Sequence, residues 1–326
     1  MNRILAAVVG LGKIGQGYDY HLSDNRLILT HARAYDQHDG YELVAAVDID
    51  ELQRERFTAR FGCPAYANVE SMMARHQPDV VSICVPMAQH LRVMRQIIPF
   101  KPRAVLCEKP IAATLSDAEN MIKMAEAIHC VLLVNYLRRF EPGVLSLRKS
   151  LMQGDVGKIE KGVCWYSKGI LNNGSHYIDL LRFLLGEVND LRLLNRGRCD
   201  NDSDPEPDFY LRFGQVPVYL LAVREECFSV GRLELMGTAG HVLYDDFGET
   251  IRIRKSHNDE LFSGYRVLGR ESEAIPTDMK RYQWHVADHL YRHLMTGEPL
   301  PADGRSASET LAVIEKIRRS CREASP

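Results

Sequence analysis

Along the first half of the chain, short solid apolar runs alternate with stretches of helical periodicity. Ile4–Val9 is an unbroken apolar run that ends in glycine, the pattern of a parallel strand buried on both faces. Runs at 42–47, 79–85, 104–107 and 131–135 repeat it. Between them, Asp50 caps a predicted helix over 51–61 that stops at Gly62, and Ser116-Asp117-Ala118-Glu119 reads as a capping box. The helix behind that box turns Met121, Ile122, Ala125 and Ile128 inward. This β-α-β series predicts an α/β Rossmann domain, a doubly wound parallel sheet over residues 1–125 with ligand at the carboxyl ends of the strands.

From residue 158 the texture changes to closely spaced strand-like runs, at 162–166, 188–194, 208–213, 218–224, 232–236, 241–244 and 250–254. They predict a C-terminal α+β domain, residues 126–326, built on a large, mostly antiparallel open-faced sheet. A helix over 175–185, closed by Gly186, interrupts them and carries His176 in its first turn. Ser306 to Glu309 forms a second predicted capping box, opening a terminal helix over 307–322 that packs back toward the first domain. Its Leu311, Ile314, Ile317 and Cys321 face inward.

Length and composition narrow the classes. A chain of 326 residues exceeds what one core usually serves, so two domains are expected. Lys and Arg total 41 against 43 Asp and Glu, a formal charge of -2, with no like-charged tail for nucleic acid or a membrane surface. The eight cysteines never stand closer than 21 residues, which leaves no Cys-x-x-Cys pair for zinc or dithiol chemistry and points to reduced thiols in a cytoplasmic protein. The apolar N-terminus breaks into Gly10, Gly12 and Lys13 too early for a signal peptide, and no later run is long enough to span a bilayer.

Gly10-Leu11-Gly12-Lys13-Ile14-Gly15 follows the first strand and fits G-x-G-x-x-G. The first glycine of that motif makes a tight turn, the second admits a pyrophosphate to the backbone, and the third lets helix pack on strand. Asp48 ends the next strand, where a carboxylate accepts hydrogen bonds from the adenosine ribose and repels a 2′-phosphate, so NAD is expected over NADP. It lies 33 residues after Gly15 instead of about 20, which implies an insertion over residues 16–35 carrying Tyr18, Tyr20, His21, His31 and Tyr35. That stretch reads equally as a surface excursion or as a flap beside the cofactor.

Six further motifs extend the pattern: Asp48, Ile83 to His90, Cys107-Glu108-Lys109-Pro110, Arg138 to Pro142, Gly154 to Ile159, and Gly174 to Leu181. On these the chain resembles the Gfo/Idh/MocA family of NAD(P)-dependent oxidoreductases over nearly its full length. The resemblance implies cofactor binding by Gly10, Gly12, Lys13, Ile14, Gly15, Asp48, Pro86, His90, Glu108 and Lys109. It makes Lys109 and His176 the catalytic pair, without any metal, while the side chains of Asn172, Tyr166, Lys168 and Arg139 are of the kind that binds substrate hydroxyls or an anionic group. Oxidising a secondary alcohol needs a base for the hydroxyl proton while hydride leaves for nicotinamide, and reduction needs the same group as acid. Asn172 stands where many members have Asp, and an amide holds a hydroxyl without titrating.

The implied substrate is a sugar, polyol or nucleotide-sugar derivative, and the implied assembly a homodimer or homotetramer with no nucleic-acid or membrane partner. The alternatives are an NAD-dependent glycosidase using transient oxidation, a biliverdin-reductase-like or dihydrodiol-type reductase, and a non-catalytic dinucleotide-binding regulator.

Overall fold

The computed structural model describes residues 3–24, 26–198 and 204–324; Cys199 lies outside them. The chain divides into two units, Met1–Phe140 with Lys280–Leu311, and Glu141–Met279 with Ala312–Pro326. The division falls at Phe140 and not at residue 125, because the strand after 125 completes the first sheet and the segment after it stays with that unit.

In the first unit β1 (Ile4–Val9), α1 (His31–Gln37), β2 (Tyr41–Val47), α2 (Glu51–Phe61), β3 (Ala65–Tyr66) and α3 (Val69–His76) are followed by β4 (Val80–Ile83), α4 (His90–Ile97), β5 (Ala104–Cys107), α5 (Leu115–Glu126) and β6 (Val131–Val134). The six strands pair in parallel in the order β3-β2-β1-β4-β5-β6, the doubly wound arrangement whose ligand crevice opens where the order reverses, beside β1 and β4. Helices cover both faces. Met72, Met73, Val93, Met94, Ile97, Ala118 and Met121 of α3, α4 and α5 line one side, and Ala32, Tyr35 and Phe57 of α1 and α2 line the other. Asp50 caps α2 by accepting from Leu52 N–H, and Gly62 closes it at φ +70°. The α5 cap, however, is Thr114, which accepts from Asp117 N–H, so the box expected at Ser116 lies inside the first turn.

The second unit opens with α6 (Pro142–Gln153), β7 (Ile159–Tyr166), α7 (Ser175–Leu185), β8 (Val188–Arg198), β9 (Glu206–Phe213) and β10 (Val216–Ala222). It continues with β11 (Gly231–Gly237), β12 (Gly240–Asp245), β13 (Thr250–Asn258), β14 (Arg266–Leu268) and β15 (Glu273–Ile275). Their order is β14-β13-β12-β11-β7-β10-β9-β8, with β15 beside β13, and every pair except β7 with β10 is antiparallel. Cys164, Phe209, Leu211, Val218, Leu220, Leu233, Leu235 and Val242 alternate onto one face and pack with α6 and α7. On the other face Trp165 and Met236 keep 38% and 42% of their surface exposed.

The chain then returns to the first unit. The helix α8 (Tyr282–Thr296) buries Val286, Ala287 and Leu290 beside β1, and α9 (Gly304–Glu323) runs to the end of the described chain. Ala307 and Leu311 count with the first unit, and Ile314, Ile317 and Cys321 with the second. This helix begins two residues before the expected box: Asp303 accepts from Ser306 N–H at 2.7 Å and the Asp303 N–H donates to Ser306 Oγ at 3.1 Å. Among the described residues no helix is long and apolar enough to cross a membrane.

Candidate active site

The three motif glycines meet different demands. Gly10 turns at φ +96°, and a Cβ on it would lie 2.7 Å from the backbone of Cys84 and Val85, where β4 ends. A Cβ on Gly15 would lie 2.0 Å from the carbonyl oxygen of Gly10. Around Gly12 a Cβ would meet nothing within 4 Å. The first and third glycines are therefore required by the packing of the loop on the sheet, whereas the second borders open space. Lys13 beside it is exposed and Ile14 half-buried. Asp48 closes the loop from the end of β2: its Oδ2 accepts from Leu11 N–H at 2.6 Å and its Oδ1 from Asp50 N–H at 2.9 Å. Each oxygen keeps a second lone pair for another donor. Arg54 holds the same corner, donating from Nη1 to the carbonyls of Asp48 and Ile49.

The described residues of 16–35 are tied to one another by hydrogen bonds. Asp19 is 1% exposed and accepts from the N–H groups of Leu29 and Thr30 and from the Thr30 hydroxyl, closing the excursion at its base. Arg33, 3% exposed, donates to the carbonyls of Asp19, Leu22 and Asp24. Thr30 then caps α1, and Tyr18 and His21 remain at the surface.

At the ends of β4, β5 and β6 the expected residues separate. Pro86 is exposed at the start of the turn that leads into α4. His90 is 1% exposed, with Nε2 3.0 Å from the Val85 carbonyl and Nδ1 3.1 Å from that of Ile111, so it braces the two loops. Burial holds its imidazole below the usual value. Glu108 and Lys109 follow β5, and the Lys109–Pro110 bond is cis. Glu108 Oε1 receives Asn135 Nδ2 at 2.6 Å and lies 2.8 Å from His31 Nε2. Burial pushes this carboxyl up, but hydrogen bonds from His31 and Asn135 and the charge of Lys109 more than offset it and hold it below the usual range.

The second unit presents its own set. Asn172 is exposed on the turn before α7, and Asp204 clamps that turn by accepting from the N–H groups of Leu171 at 2.6 Å and Asn172 at 3.0 Å. Ser175 donates from its hydroxyl to the carbonyls of Leu171 and Asn172. His176 is 9% and Asp179 1% exposed, so both are drawn into the fold and neither is a surface group. Lys168 pairs with Glu225 at 2.9 Å. Two expected substrate residues belong to the cores: Tyr166 is fully buried and donates to the Pro207 carbonyl at 2.6 Å, and Arg139, 6% exposed, donates to that of Pro301.

A Rossmann sheet with a glycine turn of this geometry defines a dinucleotide-binding protein. Residues 4–136 match the family described as "Oxidoreductase family, NAD-binding Rossmann fold", GFO_IDH_MocA. The match covers the N-terminal segment alone, which carries the Rossmann fold that this family's description names. It is 26% identical to D-apiose dehydrogenase from Paraburkholderia graminis, covering 90% of this chain and 84% of that one. To inositol 2-dehydrogenase from Rhizobium meliloti it is 27% identical over 51% of this chain, and the match spans about half, 54%, of that relative's length. Its fold resembles the WlbA dehydrogenase from Bordetella pertussis, solved with NADH and UDP-GlcNAcA, at a TM-score of 0.77, with 20% identity over 99% and 97% of the two chains.

Proposed function

We propose that the protein is an NAD-dependent dehydrogenase or reductase acting on a secondary alcohol or ketone of a sugar, polyol or nucleotide-sugar derivative. The observation that carries this reading is the glycine cradle. A Cβ at Gly12 would enter open space at the switch point of the sheet, beside a carboxylate held in place by backbone N–H groups. That combination fits a dinucleotide, with Gly12 against the pyrophosphate and Asp48 accepting from the ribose hydroxyls. Asp48 favours NAD over NADP because a carboxylate repels a 2′-phosphate. The nicotinamide, when bound, supplies or accepts the hydride. Lys109 and His176 are the groups assigned to take or return the hydroxyl proton, and Asn172 is assigned to hold a substrate hydroxyl by hydrogen bonding. The D-apiose and inositol dehydrogenases among the relatives support a carbohydrate-type substrate. Trp165, Tyr210, Tyr219 and Met236 on the outer face of the second sheet support self-association.

Incubation of the protein and NAD+ with a panel of polyols, sugars and nucleotide sugars tests the reading. NADH formation with one compound class is expected. Glycoside cleavage without net NADH would mark a glycosidase instead, and dinucleotide binding without any turnover a regulator.

A further inference from the structure

The turn between β2 and α2 carries a guanidinium as well as the Asp48 carboxylate. Arg54 stands half-buried in the first turn of α2, and its side chain reaches back over residues 48–50. Its Nη1 donates to the carbonyl of Asp48 at 2.9 Å and to that of Ile49 at 3.0 Å, which uses both hydrogens of that nitrogen. Nε and Nη2 lie in the same plane, and among the described residues no acceptor meets their N–H groups. The helix start is itself fixed against the glycine loop. Gln16, 1% exposed and next to Gly15, donates from Nε2 to the Gln53 carbonyl at 2.9 Å and to the Gln53 Oε1 at 3.1 Å. A long side chain held at its tip has already given up much of its rotamer freedom, so Arg54 presents its unused donors at little further cost. The acidic groups at this corner are Asp48, the cap Asp50, whose Oδ1 is engaged by the Leu52 N–H, and exposed Glu51. Ile49, 92% exposed, brings no charge.

We infer that Arg54 sets the cofactor specificity against Asp48: its unused N–H groups receive the 2′-phosphate of NADP, so the protein accepts NADP as a second and weaker cofactor. The inference deepens the dinucleotide reading proposed above and rests on it. The carboxylate that would hold the ribose and the carbonyl that holds the guanidinium belong to one residue, Asp48. A phosphate in place of the 2′-hydroxyl would therefore stand between the two charges. Repulsion from Asp48 and attraction to Arg54 act on it at similar range and oppose one another. The guanidinium adds paired, charge-assisted hydrogen bonds, which are roughly twice as strong as neutral ones and fit phosphate geometry. A 2′-hydroxyl offers those donors no charge to pair with, so the effect of Arg54 falls chiefly on the phosphorylated cofactor. The preference for NAD persists, but it is smaller than a carboxylate alone would set.

Calorimetric titration of the wild type and of Arg54→Ala with NAD+ and with NADP+ reads the ratio of the two dissociation constants. The wild type is expected to bind both, NAD+ more tightly, and Arg54→Ala to widen the ratio about tenfold or more through the lost hydrogen bonds to one charged group. The same change made in the Asp48→Ser protein is expected to weaken NADP+ by a similar factor. In that background there is no carboxylate for a loosened turn to misplace, so an effect that vanishes there would reduce Arg54 to a support for Asp48 and overturn the inference. An unchanged or narrowed ratio in the folded Arg54→Ala protein overturns it too, as does a wild type that binds NAD+ and not NADP+. So does a ratio that moves with Lys13→Ala, the exposed cation of the glycine loop, and not with Arg54→Ala. Should Arg54→Ala not fold, Arg54→Gln removes the charge, keeps a donor for the two carbonyls and is expected to widen the ratio likewise. A wild type that binds neither dinucleotide would instead overturn the cofactor reading itself.

Discussion

Replacing Gly12 and Gly15 by alanine, one at a time, separates what the fold needs from what the ligand needs. At Gly15 the new Cβ would sit 2.0 Å from the Gly10 carbonyl oxygen, far inside contact distance and against backbone that a rotamer change does not relieve. The turn has to move off β1, and overpacking of this kind costs about 1–3 kcal/mol. For a chain of this length that is a fall in melting temperature of a few degrees, at roughly 2–4 °C per kcal/mol. At Gly12 the backbone is extended, with φ −68°, and a Cβ meets nothing within 4 Å. Gly12→Ala should therefore leave stability unchanged or raise it by about 0.4–1 kcal/mol through the unfolded chain. The same methyl would stand where a pyrophosphate has to reach the backbone. Loss of one or two hydrogen bonds to a charged group, about 1.5–3 kcal/mol each, weakens dinucleotide binding by at least about tenfold. Thermal melts and calorimetric titration with NAD+ read both quantities. A destabilised Gly12→Ala protein, or one that binds NAD+ as tightly as the wild type, would refute the assignment of the second glycine to the ligand.

Three further outcomes follow from the structure. Asp48→Ser should narrow the preference for NAD+ over NADP+ in calorimetric titration and also lower the melting temperature, since Asp48 Oδ2 holds the Leu11 N–H; an unchanged melting temperature would show that this tie is idle. Asp204→Ala should raise the Michaelis constant of the carbohydrate-type substrate several-fold and leave NAD+ affinity alone, because Asp204 holds the backbone of Leu171 and Asn172; an unchanged constant would remove Asn172 from the substrate site. Acid should destabilise the protein in two stages. Burial, with Arg292 nearby, pushes His289 down to about 4 from 6.5, so the unfolded chain takes up that proton first and stability falls across this interval as pH drops. Glu108, held below 4.5, contributes fully above that value, and its share is lost as pH falls through its lower folded value. Denaturant midpoints that stay flat from pH 6.5 to 4 would contradict the first stage.

The strands β1, β2, β5 and β6 and the helices α2 and α7 were legible because solid apolar runs, an Asp cap and terminal glycines each mark one end without tertiary information. The helix α1 was not: its buried face carries His31 and Arg33, polar side chains that break the apolar periodicity by which a helix is read. The return of Lys280–Leu311 to the first unit has no local signal either. Tyr166 was misplaced because Val163, Cys164, Trp165 and Tyr166 are all apolar, so the strand gives no phase. The sheet buries Cys164 and Tyr166 and exposes Trp165. The glycine cradle, Asp48, Lys109 and His176 were all readable as motifs. The contacts of Asn135 with His31 and Gln283, residues more than 100 positions away, were not.

The central claim is that this protein moves a hydride to or from a carbohydrate-type carbinol with Lys109 handling the proton. Its most direct test is the rate of NADH formation from NAD+ with the best compound of a polyol, sugar and nucleotide-sugar panel, measured in parallel for the wild type and Lys109→Ala. The account predicts turnover by the wild type and a loss of about two to four decades in the variant at little-changed NAD+ affinity. Wild-type rates in Lys109→Ala, or NAD+ binding with no NADH from any compound of the panel, would contradict it.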